Sequence, residues 1–248
     1  ERVYRFLGET ARYVAILLGI GGQQPATAGQ VAESGFGDCK GLTNYMCAML
    51  KDIGISSCYT VISTDHRRLM PDFASVVQMN HVSLQVPLPG DTIWIECTNP
   101  RIPFGYVHED IAGHDAVTVS ADGGRVVRLP VYADTANVEK NTVQVTVTPD
   151  GTAAIQLQQE ARCRQMEDRL PLTKLDKTDL HRALQRMVHA PQSIISNSQV
   201  SMDGLALHIQ AMVNSQKYAS VNGLRLFVPL YPIQHGRTML KNDTLRTE

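Results

Sequence analysis

The chain has 248 residues, 43% of them hydrophobic, and its 23 Lys and Arg nearly balance 24 Asp and Glu, for a formal net charge of -1. That length is long for one compact domain and suits two, each able to bury a core. Near-neutral charge without a basic run excludes the electrostatic footprint of a nucleic-acid binder. The best apolar stretch, Tyr13 to Ile20, falls far short of the roughly 20 residues that a bilayer-spanning helix needs.

Glu1 to about Ala15 reads as a helix feeding that apolar stretch, and Gly19, Gly21, Gly22 and Pro25 then force a loop. The chain opens on Glu1 inside this helix, so the expectation is of a fragment. A short helix follows, opened by Thr27 with Gln30 three positions on, a capping-box spacing, and closed near Ser34-Gly35. In the next helix Leu42, Tyr45, Met46, Met49, Leu50 and Ile53 recur at three- and four-residue steps, which lines one face with apolar side chains. Asp38 suits its N-cap and Gly54 its stop, which places Cys39 in the first turn.

Cys58 to Ser63 then reads as a strand, Asp65 to Gln78 as a loop, and Val82 to Thr98 as a hairpin turning at Pro89-Gly90. With a loop of two or four residues, Val82, Leu84, Val86, Ile93, Ile95 and Cys97 share one face. His81, Ser83, Gln85, Thr92, Trp94 and Glu96 then share the other, and a three-residue loop breaks the sorting. From about Asp134 the pattern changes to polar alternating with β-branched residues: Thr142 to Val147, a Pro149-Asp150-Gly151 turn, then Ala153 to Gln159. A helix over about Lys177 to Val188 precedes strand-like runs near Gln199, at Leu205 to Met212 and at Leu224 to Leu230. The end, from Gln234, is irregular and polar. These patterns divide the chain into domains 1–133 and 134–248, the second mainly β with one helix and expected to be truncated.

Five scattered cysteines, Cys39, Cys47, Cys58, Cys97 and Cys163, are odd in number and lack C-x-x-C spacing, so neither a disulfide framework nor a zinc site is expected. The eight histidines show no H-x-x-x-H or H-E-x-x-H pattern, and the expectation is of no metal and no cofactor.

A thiol at a helix N-terminus feels the partial positive charge of unpaired backbone N–H groups, which favours the nucleophilic thiolate. Cys39 has that placement, inside the glycine-rich segment Gly35-Phe36-Gly37-Asp38-Cys39-Lys40. A base must come from elsewhere in sequence, and His81 stands at the mouth of the hairpin with Glu96 diagonally across on the same face. A backbone separation of roughly 7–8 Å is one that long side chains bridge, so Glu96 is placed to orient the imidazole. Trp94 on that face requires cover, the expected cover being the Cys39 helix. The Cys39 N–H is a candidate oxyanion donor, and Gln23, Gln24 and Gln30 are upstream candidates, with Gln24 and Trp94 carried forward as oxyanion or substrate contacts. His66, His108 and His114 fall in loop-like stretches and are assigned solvated roles, as are His181, His189, His208 and His235.

Arg12-Tyr13-Val14, the Gly-Gly then Pro25 segment, Gly37-Asp38-Cys39-Lys40, Asn80-His81-Val82 and Trp94-Ile95-Glu96-Cys97-Thr98 together resemble the bacterial transglutaminase-like core found between two mainly β domains of unknown function. The resemblance covers about residues 1 to 110. It implies an α+β, papain-like core in which a Cys helix packs on an antiparallel sheet, followed by a mainly β domain, with further β domains in the full-length protein. It puts Cys39, His81 and Glu96 on the family's Cys, His and acidic positions. Two departures stand out: Glu96 where the family commonly has aspartate, and Gly41 where another aspartate usually follows Gly-Asp-Cys-Lys. The resemblance further implies an extracytoplasmic setting, in the bacterial periplasm or cell envelope.

The expected function is thiol acyl transfer on a peptide or protein amide, with hydrolysis favoured over transfer to an amine. The alternative, motivated by the two departures, is a catalytically weak or inactive module that binds a peptide or glycan in the same cleft.

Overall fold

The computed structural model describes residues 1–15 and 19–233. The polar stretch from Gln234, with His235, lies outside the described residues, as do residues 16–18 of the apolar stretch. The chain forms two compact units. The first comprises Glu1–Val138, Arg162–Leu170 and Gly204–Ala206, and the second Glu139–Ala161, Pro171–Asp203 and the chain from Leu207 onward. Two short later segments, Arg162–Leu170 and Gly204–Ala206, thus belong to the first unit.

Helix α1 (Arg2–Thr10) is shorter than the expected run to Ala15. Ala11 is extended, with φ -129° and ψ 150°, and the chain continues as β1 (Arg12–Tyr13), parallel to β2 (Phe36–Gly37). The N–H groups of Arg12 and Val14 donate to the carbonyls of Gly35 and Gly37, both at 2.9 Å, so donors that a longer helix would turn inward serve a neighbouring strand instead. Between the two strands, α2 (Ala28–Ser34) carries the capping box: Thr27 Oγ1 accepts from Gln30 N at 3.2 Å and Gln30 Oε1 from Thr27 N at 2.8 Å. Gly35 ends it in the left-handed region at φ 71°, which a residue without Cβ enters at low cost.

Helix α3 (Cys39–Asp52) begins on Asp38, whose Oδ1 accepts from Gly41 N at 2.9 Å. A Cβ on Gly41 would stand 3.4 Å from both Ala26 and Val31 and 3.6 Å from Asp38 Oδ1. These are ordinary van der Waals separations, so the position has room for a Cβ, and a carboxylate there would stand near that of Asp38.

A five-stranded sheet follows, built of β3 (Cys58–Ile62), β4 (His81–Leu88), β5 (Asp91–Ile95), β6 (Asp115–Ser120) and β7 (Gly123–Arg128). Its order is β5-β4-β3-β6-β7, antiparallel throughout. The turn between β4 and β5 has two residues, and Leu84, Gln85 and Val86 pair with Ile95, Trp94 and Ile93, so the hairpin faces sort as the parity argument requires. One face, with Leu84, Val86, Ile95 and Cys97, packs on Leu42, Met46 and Leu50 of α3 and on Tyr4 and Leu7 of α1. Each such buried side chain contributes about 1.5–3 kcal/mol. On the other face Trp94 and Ile62 pack with Val107, Ile111, Ala116 and Leu129. The cover of Trp94 is therefore the loop carrying Val107 and Ile111, with Leu129 just past β7, and not the Cys39 helix.

The second unit is a four-stranded sheet of β8 (Glu139–Val147), β9 (Ala153–Arg162), β10 (Ser193–Asp203) and β11 (Ala206–Ser215), ordered β10-β11-β9-β8. It also holds helix Lys177–Met187, close to the expected span, and a small hairpin of Ser220–Asn222 with Arg225–Phe227. A further short helix, Arg164–Glu167, belongs to the first unit. The architecture is α+β, and no helix among the described residues is long and apolar enough to cross a membrane.

Candidate active site

Cys39 is the first residue of α3, where backbone N–H groups have no acceptor one turn earlier. Asp38, buried, caps these groups and is ion-paired with Lys40. The thiol faces a cavity of about 640 Å³ whose walls include Tyr13, Gln23, Asn44, Tyr59, Val61, Val76, Asn80 and His81.

His81 is the first residue of β4. Asn80, immediately before it, fixes that strand's entry: its Oδ1 accepts from Thr64 N at 2.8 Å and its Nδ2 donates to Asp65 Oδ2 at 2.9 Å. The His81 imidazole and the Cys39 thiol line the same cavity, and the thiol acts to raise the imidazole's pKa. Its Nε2 lies 2.8 Å from Glu96 Oε2, the diagonal relation that the hairpin parity predicts. Glu96 is 4% exposed, and its other oxygen accepts from Thr98 N at 2.8 Å and from Thr98 Oγ1 at 2.5 Å.

The electrostatics follow from these contacts. Burial by itself lowers the His81 pKa, but the Cys39 side chain, the hydrogen bond to Glu96 and the charge of Glu96 outweigh it and raise the group from 6.5 to about 10. Burial likewise pushes Glu96 up. Hydrogen bonds from His108 and His81, the charge of His81 and the Thr98 hydroxyl overcome that and hold the carboxyl well below its ordinary value. By linkage the stabilisation from His81 is complete below about 6.5 and is lost as pH rises through about 10. That from Glu96 is present above its ordinary value of 4.5 and is lost as pH falls below it. Burial drives the thiols of Cys47 and Cys97 up, which makes them poor nucleophiles near neutrality. All five cysteines are unpaired.

Of the further sequence candidates, Gln24 is exposed and does not line the cavity, whereas Gln23 does. Gln30 is engaged in the α2 capping box. Trp94, 5% exposed in the core on the far face of the sheet, does not line the cavity either. Its register partner Gln85 and its core neighbours place it inside the fold.

His108 and His114 are not solvated. His114 is buried, with Nδ1 2.7 Å from the Ser63 carbonyl, and His108 Nε2 lies 3.2 Å from Glu96 Oε2. His81, Glu96 and His108 thus each present one donor atom within 4.8 Å of the others, a composition that holds zinc in some proteins. The expectation of no metal rested on spacing along the chain and overlooked this group, whose members come from separate elements. Here both imidazole nitrogens converge on one carboxylate oxygen at hydrogen-bond distance, so that oxygen itself fills the point they share.

No protein-family model matches the chain, and no curated protein does. Among solved structures it is similar to the crystal structure of a "putative protease" from Parabacteroides distasonis, at 10% identity and a TM-score of 0.44. The match covers 92% of this chain and 46% of that one, so the chain spans about half the length of the protein it matches.

Proposed function

We propose that the first unit is a papain-like, transglutaminase-type thiol enzyme that hydrolyses a peptide or peptide-like amide, with Cys39 as nucleophile, His81 as base and Glu96 as the residue orienting the base. The observation that supports it is an imidazole hydrogen-bonded to a buried carboxylate and lining the same open cavity as a helix-start thiol.

In this reading the Cys39 proton resides on His81, which Glu96 stabilises as imidazolium. The thiolate attacks the amide carbonyl carbon, and the developing oxyanion takes the Cys39 N–H, with Gln23 as the neighbouring side-chain donor. Collapse breaks the C–N bond, His81 delivers its proton to the departing amine, and an acyl-thioester remains on Cys39. Water gives a proton to His81 and attacks the thioester, releasing the carboxylic acid and restoring the thiolate. An amine in place of water would make the product a new amide.

Iodoacetamide at neutral pH, followed by peptide mapping, tests the assignment. Cys39 is expected to alkylate about tenfold or more faster than a free thiol and faster than Cys47 or Cys97. A rate no greater than that of free cysteine would sink the enzyme and leave a peptide- or glycan-binding module on the same fold.

A further inference from the structure

Glu96 is shared between two imidazoles. Its Oε2 meets His108 Nε2 at 3.2 Å as well as His81 Nε2 at 2.8 Å. The side chain of His108 is 12% exposed, and the stretch that carries it is pinned from both flanks. Tyr106 Oη donates to Glu167 Oε2 at 3.1 Å, and Glu109 N donates to the same oxygen at 3.1 Å. Between them Val107 N donates to Tyr132 Oη at 3.2 Å, and the Tyr106 and Tyr132 rings stack at 5.1 Å between centroids. Glu109 is also ion-paired with Arg164. The residues on both sides of position 108 are thus held by partners of their own, which steadies the stretch of chain that brings the His108 ring to Glu96.

A glutamate has one more rotatable bond than an aspartate, and each such bond offers three staggered wells. A carboxylate that must face one imidazole then needs more donors to select its rotamer. Glu96 has four: two from Thr98 on Oε1 and two imidazoles on Oε2, which matches the acceptor capacity of the group. We infer that His108 is a positioning residue of the proposed triad, fixing the Glu96 carboxylate toward His81 and keeping it anionic. The inference rests on the thiol-enzyme reading and adds a fourth member to its polar network.

The consequence lies on the acid side of the pH profile. Burial pushes the Glu96 carboxyl up, and the bond from His108 is the foremost contribution holding it down. Other groups near this carboxylate are His81, Asp110, Cys97, Tyr4 and Tyr13, with Cys39 beyond His81. Tyr4, Tyr13 and Cys97 have raised pKa values and stay neutral in acid. The Asp110 side chain is 77% exposed, so its charge is screened. Loss of the His108 donor lets the Glu96 carboxylate turn away from His81, so the His81 imidazolium is less favoured and the acid limb of Cys39 reactivity moves up.

The test is the rate of Cys39 alkylation by iodoacetamide from pH 4 to 9 in the full chain, compared for wild type, His108→Ala, His108→Leu and His108→Gln, with thermal melting as the folding control. In His108→Ala the acid limb should move up by about one pH unit, a roughly tenfold slower reaction on that limb. His108→Gln, whose Nε2 keeps a donor at similar reach, should recover most of the shift. If the alanine variant does not fold, the Leu and Gln pair gives the same comparison. A wild-type acid limb in the donorless variants, or equal limbs for Leu and Gln, overturns the role of His108 while leaving the triad standing. Wild-type Cys39 with free-thiol reactivity instead removes the triad and this inference with it.

Discussion

In the second unit β9 alternates without interruption, burying Ala153, Ile155, Leu157, Gln159 and Ala161 and exposing Ala154, Gln156 and Gln158. In the first unit β4 buries Val82, Ser83, Leu84 and Val86 and half-buries His81 and Gln85. The difference is cover. A sheet with one covered face leaves its polar side chains to water, whereas the first sheet is covered on both, by α3 on one side and by the Val107-to-Ala112 loop with Leu129 on the other. Polar groups on the second face then need partners inside the protein, since an unpaired buried one costs roughly 2–7 kcal/mol. Ser83 Oγ finds the Ile95 carbonyl and His114 the Ser63 carbonyl. Among the described residues, the buried Asp38, Glu96 and His114 all belong to the first unit. Regular alternation marks a scaffold, and a strand that violates it marks where polar chemistry is held in a dry setting.

Three substitutions test that contrast. The largest effect is expected from Glu96→Ala, which leaves two imidazoles without their buried partner: a loss of about 3–5 kcal/mol in denaturant unfolding, together with the rate advantage of Cys39 in alkylation. Next, Ile155→Val trims one methylene from the second core and should cost about 1 kcal/mol, with the Cys39 alkylation rate unchanged. A change in that rate would break the division between scaffold and chemistry. Smallest, Gln156→Ala on the exposed face of β9 should stay within about 0.5 kcal/mol, and a larger loss would show that this face is covered too.

The parts legible in the sequence are those set by local rules. The α2 capping box, the N-cap and apolar stripe of α3, and the hairpin register follow from spacings of two to four residues, and the last of these puts His81 within reach of Glu96. What was not legible depends on distant segments. α1 ends early because β2, more than twenty residues on, takes its donors. β6 and β7 lie in a stretch whose pattern singles out no element, and the cover of Trp94 includes residues from it. His108 sits in an irregular segment with no periodicity, and its contact with Glu96 depends on Glu167 and Tyr132 holding its neighbours. Its one sequence clue was the glutamate at the third triad position, a longer side chain that needs additional support.

The two-residue turn at Pro89-Gly90, with Gly90 at φ 78°, bears on how this lineage can vary. One inserted or deleted codon there would swap the two faces of β5, carrying Glu96 toward the helical core and Ile95 toward the imidazoles, while the turn itself lies on the surface. Length polymorphism at this otherwise permissive tip should therefore come in even steps, and an odd one in a homologue would mark a lineage that has abandoned the site.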